Sequence, residues 1–142
     1  MFWQLLEVVL PGAVLSFGGS MTLKKTLVLG ASLKPERYAH QAIIKLRHAG
    51  HPVIAVGRSA GYVADVPVHT QADPSWEGID TVSMYLNPAL QEQYLDSILQ
   101  WQPKRVLFNP GSENLILSAQ LRDKGIAIEN ACNLVLLSTN QY

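Results

Sequence analysis

The stretch Thr26-Leu27-Val28-Leu29-Gly30-Ala31-Ser32-Leu33-Lys34-Pro35-Glu36-Arg37-Tyr38-Ala39 decides how this chain folds. Leu27 to Leu29 is a short apolar run that stops at a glycine, the pattern of a strand buried on both faces. A basic loop follows. Glu36 to Ala49 then carries Ala39, Ala42, Ile43 and Leu46 at helical spacing, and Gly50 is a natural stop. Pro35 suits the first position of that helix. A strand, a tight glycine turn and a helix in this order aim backbone N–H groups at one spot. Lys34 and Arg37 add positive charge there, which suits a phosphorylated ligand.

The alternation continues along the chain. His51 to Gly57 is a second apolar strand ending in glycine, with Pro52 tolerated at its start. Gly57 to Ala64 reads as loop and Val66 to Thr70 as a short edge strand. Asp80 to Leu86 is a strand stopped by Asn87-Pro88. Ala89 to Trp101 is predicted helical, with Leu90, Tyr94, Ile98 and Trp101 on one face. Arg105 to Phe108 is a strand stopped by Asn109-Pro110-Gly111, and Ser112 is placed to cap the next helix, with Glu113 in its first turn. That helix ends near Gly125, Ile126 to Ile128 is a last strand, and the apolar tail from Cys132 to Leu137 is expected to dock on the domain. Strands and helices in alternation predict a single α/β domain: a doubly wound, mostly parallel sheet of about five strands, flanked by helices and joined by right-handed crossovers.

Composition agrees. The 142 residues suffice for one core, and 48% apolar against 15% charged content argues against disorder. Net charge is zero, so nothing marks a general nucleic-acid binder. A single cysteine, Cys132, excludes a disulfide framework within the chain and a cysteine-rich zinc site, and it fits a reducing, cytoplasmic setting. His40, His48, His51 and His69 show no metal-ligand spacing and read as surface or boundary residues. Met1 to Phe17 is mostly apolar but broken by Glu7 and Pro11, with no basic lead. It reads as a poor secretory signal and as too short and too broken for a convincing membrane span. The expectation is that translation starts at Met21 or that residues 1–20 are dispensable; the competing one is a short helix that packs on the domain or on a partner.

Four loops should meet in one crevice at the carboxyl ends of the strands: Gly30-Ala31-Ser32, Gly57-Arg58-Ser59, Asn87-Pro88 and Asn109-Pro110-Gly111. A nicotinamide or flavin site has Gly-x-Gly-x-x-Gly in the first of these loops. Here Ser32 stands at the second glycine and Pro35 at the third. An NAD site also has an acidic residue after the second strand, where this chain has Arg58, the natural partner of a phosphate on the ribose. The pattern favours NADP or coenzyme A over NAD.

These loops resemble those of the small stand-alone CoA-binding proteins, Rossmann-like domains similar to the N-terminal domain of the succinyl-CoA ligase alpha subunit. The matching residues are Val28 to Ser32 with Lys34 to Ala39, His48 to Gly57, Asn109 to Asn114 and Asn130-Ala131-Cys132, and the likeness covers about residues 24–138. The resemblance implies that Gly30, Ala31 and Ser32 line the CoA diphosphate with Lys34, Arg37 and Tyr38 nearby. Gly57, Arg58 and Ser59 would approach the phosphorylated ribose. Tyr85, Leu86 and Asn87 would flank the pantetheine, and Asn109, Pro110 and Gly111 would belong to the same site. Many members have Asn-Pro where this chain has Gly57-Arg58. The ligase's second domain and phosphorylated histidine have no counterpart, so ligase activity is not expected.

No nucleophile–base pair stands out. Ser32 and Ser112 are more simply phosphate donors or caps, and His40 lies one turn from Arg37. Cys132 reads as a small apolar residue, with a mixed disulfide to a CoA thiol as the sharper alternative. The sequence therefore predicts non-catalytic binding of coenzyme A or an acyl-CoA, with no membrane or nucleic-acid partner and a homo-oligomer left open. The alternatives are a small NADP-dependent oxidoreductase, which the missing glycines disfavour, and a regulatory or interaction subunit that uses its apolar ends.

Overall fold

The computed structural model describes residues 22–142; the expectations for residues 1–20 lie outside the described residues. The elements run β1 (Thr26–Ala31), α1 (Tyr38–His48), β2 (Val53–Gly57), β3 (Gly61–Val63), β4 (Val66–His69), β5 (Thr81–Met84), α2 (Leu95–Trp101), β6 (Arg105–Phe108), α3 (Leu115–Asp123), β7 (Ala127–Asn130) and α4 (Asn133–Ser138). Two 3-10 turns, Pro88–Leu90 and Glu92–Tyr94, precede α2. One sheet holds the strands in the order β3-β4-β2-β1-β5-β6-β7, and every pair is parallel except β3 with β4.

The side-chain period of two sorts β1 between two cores. Leu27 and Leu29 face one way, onto Val82, Met84, Val106 and Phe108 of the neighbouring strands and onto Ile98, Trp101, Leu117 and Leu121 of α2 and α3. Val28 faces the other way, onto Ala39, Ile43 and Leu46 of α1, with Leu137 of α4 beside them. Leu27, Val28 and Leu29 are fully buried, which is why the strand reads as an unbroken apolar run. Each such side chain contributes about 1.5–3 kcal/mol by leaving water. The central strand is thus fixed by its own sequence.

The edges differ from expectation. Seven strands join the sheet where about five are predicted: all six stretches read as strands take part, and the stretch read as a loop adds β3. Val63 and Val66 pair across Ala64-Asp65, with Ala64 at φ 54, and close a hairpin that puts β3 outside β4. Val66 to His69 is therefore an inner strand. The Ala89 to Trp101 helix is broken as well: Leu90 is exposed, and Gln91 is fully buried in its place. The Gln91 amide donates to the carbonyls of Leu86 and Ser112 at 2.8 and 2.7 Å, which holds the chain in short turns until Leu95. The predicted tail docking is seen as α4, which packs on α1.

Candidate functional site

From β1 the chain crosses through α1 to β2 on one side, while β5 lies on the other. The carboxyl ends of β1 and β5 therefore flank the place where the winding reverses, and no crossover covers it. Gly30 sits at this point with φ +97. A Cβ there would lie 3.1 Å from the Leu86 nitrogen and the Tyr85 carbonyl carbon. Both the dihedral and the close approach require glycine. Gly57 meets a different limit: a Cβ would fall 2.3 Å from the Ala31 carbonyl oxygen, where the β1–β2 register slips. The two glycines let three strand ends come together.

A cleft of about 390 Å³ opens over them. Gly30 and Ser32 form its floor, Glu36, Arg37, Tyr38 and Ala39 one wall, and Tyr85 and Pro110 the other. Its long wall is the start of α1. Proline does not open that helix, as the sequence suggests; Tyr38 does, because a turn closes first, with the Arg37 amide donating to the Lys34 carbonyl at 3.0 Å. Arg37 is the extended N-cap and provides no side-chain hydrogen bond to the first turn, so the positive end of the helix dipole carries no capping side chain. The Ser32 hydroxyl accepts from the Lys34 amide at 3.1 Å, and His40 Nδ1 donates to the Ser32 carbonyl at 2.9 Å. These two bonds fix the loop against the helix.

Lys34, Arg37 and Arg58 are exposed at this rim. Among the described residues the ion pairs are Arg47–Asp65, Lys104–Asp80 and Arg105–Glu129, so none of the three rim cations is neutralised by a carboxylate. Of the three, only Arg37 is a wall of the cleft; Lys34 and Arg58 stand on the adjoining loops, with Ser59 beside Arg58.

Beneath the cleft lies a buried polar network. Asn109 Nδ2 donates to Ser83 Oγ and the Met84 carbonyl, both at 3.0 Å. Its Oδ1 accepts from the Asn133 amide at 2.7 Å, and Ser83 Oγ donates to Asn133 Oδ1 at 2.8 Å. The ends of β5 and β6 and the start of α4 are thereby tied together. Asn109 is 1% exposed, so it braces the loop rather than facing the cleft, where the sequence had placed it. Ser112 is buried too and donates to the Asn109 carbonyl at 2.7 Å. Asn114 takes the capping role expected of Ser112, accepting from the Leu117 amide at 3.0 Å. Tyr85 lines the cleft while its hydroxyl is buried with no hydrogen-bond partner. Burial, and next the nearby Cys132, push its pKa well above the usual phenol value.

The remaining expected residues do not line the cleft. Ala31 is buried, Asn87 accepts from the Ala89 amide at 2.9 Å to cap a 3-10 turn, and the Gly111 amide donates to Glu113 at 2.8 Å. The cleft adds Glu36 and Ala39, which sequence reasoning missed; their place around the helix start was the available signal. Gln91 gave none, since a buried glutamine breaks the apolar period that would have located it. Among the described residues there is no cluster of metal-ligating side chains and no helix long and apolar enough to cross a membrane.

Residues 24–138 match the family described as CoA binding domain. A crystal structure of an uncharacterized protein is similar at 41% identity and TM-score 0.82, over 85% of this chain and 99% of that one. A hypothetical protein from Pyrococcus horikoshii OT3 shares 24% identity at TM-score 0.76, over 84% of this chain and 85% of its own. The cell-free ID.343 protein from Thermus thermophilus shares 21% identity at TM-score 0.71, over 84% of this chain and 91% of its own. The last two speak to the fold alone, a Rossmann-like one. No curated protein matches the chain.

Proposed function

The chain belongs to the CoA binding domain family, and on that premise we propose that it binds coenzyme A or an acyl-CoA without chemistry of its own, holding the phosphates at the carboxyl edge of the sheet. One observation carries the reading: the cleft at the reversal of the winding is walled by an uncapped helix start and Arg37, with two more unpaired cations on the adjoining loops. This arrangement suits an anion. The diphosphate belongs over Gly30 and Ser32, where the backbone is closest, and Arg37 can grip it in bidentate fashion. Arg58, one residue past the end of β2, would take the phosphate on the ribose. Binding without reaction fits the polar groups on the floor and helix, since Ser32 and His40 are engaged with the loop itself.

Titration calorimetry at fixed moderate salt tests this. CoA should bind, and its 3′-dephospho form should bind about tenfold more weakly, the value of one charge-assisted contact at an exposed site. Arg58→Ala should erase that difference. Absence of CoA binding would end the proposal. A preference for NADPH over CoA would move the ligand to the nicotinamide class.

A further inference from the structure

The two sides of the carboxyl edge carry opposite chemistry. Lys34, Arg37 and Arg58 stand on the loops after β1 and β2, where Glu36 is the one carboxylate between the first two. Across the cleft, the loops after β5 and β6 (residues 85–94 and 109–116) contain no lysine, arginine or histidine; their charges are Glu92 and Glu113. Glu113 is held in place by accepting from the Gly111 amide at 2.8 Å. On the same side three large apolar side chains stand in water: Leu115 is 86% exposed, Ile116 76% and Leu90 46%. They are not scattered. Asn114 Nδ2 donates to Gln91 Oε1 at 3.1 Å, and Gln91 Nε2 donates to the Ser112 carbonyl at 2.7 Å, which ties the Leu90 segment to the first turn of α3. Pro110, a wall of the cleft, lies in the same loop that leads into α3, five residues before Leu115.

We infer that this rim receives the acyl group of an acyl-CoA, and that the group is a neutral aliphatic chain rather than one ending in a carboxylate. The inference rests on the CoA reading above and names the substrate class for it. With the diphosphate over Gly30 on β1, the end of β6 is two strands away, about 10 Å at the usual strand spacing. An extended pantetheine arm spans more than that, so the thioester comes out beside Leu115 and Ile116. An aliphatic chain laid there removes apolar surface from water on both partners. A terminal carboxylate would instead meet Glu92 and Glu113 with no cation on that side to receive it.

Calorimetry on the full chain with CoA, butanoyl-CoA, octanoyl-CoA and succinyl-CoA tests the inference. Affinity should rise about fourfold for each added pair of methylenes, half-buried on an open surface. Succinyl-CoA should bind more weakly than butanoyl-CoA, and Glu113→Gln should narrow that gap. Leu115→Ser with Ile116→Ser, both exposed and so safe for folding, should leave CoA affinity unchanged and abolish the chain-length gain. The inference is overturned if octanoyl-CoA binds no better than CoA, if succinyl-CoA binds best, or if the double variant keeps the gain. It is also overturned if sedimentation shows a dimer that the double variant dissolves, which would make the rim a contact between copies. CoA that binds with no chain-length gain defeats this inference alone; CoA that does not bind defeats the reading beneath it.

Discussion

At the amino edge of the sheet, Arg105 donates to Glu129 Oε1 and Thr81 Oγ1, both at 2.9 Å, and its guanidinium lies 4.4 Å from the Tyr142 ring centre. Lys24 reaches the Tyr142 carbonyl oxygen, and the Tyr142 hydroxyl shares a 2.5 Å hydrogen bond with Thr26. At the carboxyl edge, Lys34, Arg37 and Arg58 stand in solvent with no carboxylate partner. The same residue types therefore serve two ends. Where cations are matched by acceptors from several strands and an aromatic face, they fasten the sheet. Where the chain leaves them unmatched beside an uncapped helix start, they are available to an anion from outside. The comparison teaches that positive charge by itself is not the sign of a site; unmatched positive charge at the reversal of the winding is.

Substitutions that strike the bracing should unfold, and those at the rim should only unbind. The largest effect is expected between the two, at Asn109. Asn109→Ala leaves the Asn133 amide without its acceptor in the interior and takes one bond each from Ser83 and the Met84 carbonyl, which keep Asn133 Oδ1 and the Asn109 amide; it should cost about 2–4 kcal/mol, read from urea unfolding, with CoA affinity falling as the loops relax. A variant as stable as the parent would show that the network does not brace the site. Arg105→Ala should cost about 1–3 kcal/mol, less than for a fully buried pair because Glu129 is 42% exposed, and CoA affinity should stay within twofold. A large loss of affinity there would break the division between the two edges. Arg37→Ala should do the reverse: about a tenfold loss of CoA affinity with the melting temperature unmoved. A lowered melting temperature would mean that Arg37 is structural.

The smallest effect is a pH dependence at the amino edge. His51 is buried and accepts from the Lys24 amide through Nδ1 at 2.9 Å, which requires that nitrogen to be unprotonated. Burial first, then the charges of Lys24 and Arg105, hold its pKa below the ordinary histidine value, and Asp80 opposes them. A folded value below the unfolded one means that the unfolded chain takes up the proton first as the medium acidifies. The stability His51 contributes is whole above about pH 6.5 and drains away as pH falls through the folded value. His51→Gln should flatten that slope. A parent protein equally stable at pH 7.5 and pH 5 would remove the assignment.

Much of this was legible in the chain. The apolar run of β1, the helical spacing of α1 and the glycine between them are local patterns, and each appears where its residues put it. Gly30 and Arg37, which the chemistry of a strand–turn–helix unit singles out, both line the cleft. Asn109 was misplaced for a physical reason: loop residues at strand ends look alike in sequence whether their side chains face the ligand or the interior. Asn114 rather than Ser112 caps α3 because Ser112 is drawn inside to the Asn109 carbonyl, a contact set by tertiary packing. The exposed Leu90 has the same origin, since the burial of Gln91 overrides the helical period around it.

Sequence alone determined the alternating architecture, the central strand and the cation-bearing turn, because these depend on residues within a few positions of one another. The tertiary structure decided which face of each loop meets the solvent, which cations are neutralised and where apolar residues are left uncovered. Those outcomes depend on partners that are distant in the chain, as Gln91 and Ser112 or Arg105 and Tyr142 are, and no local pattern announces such meetings.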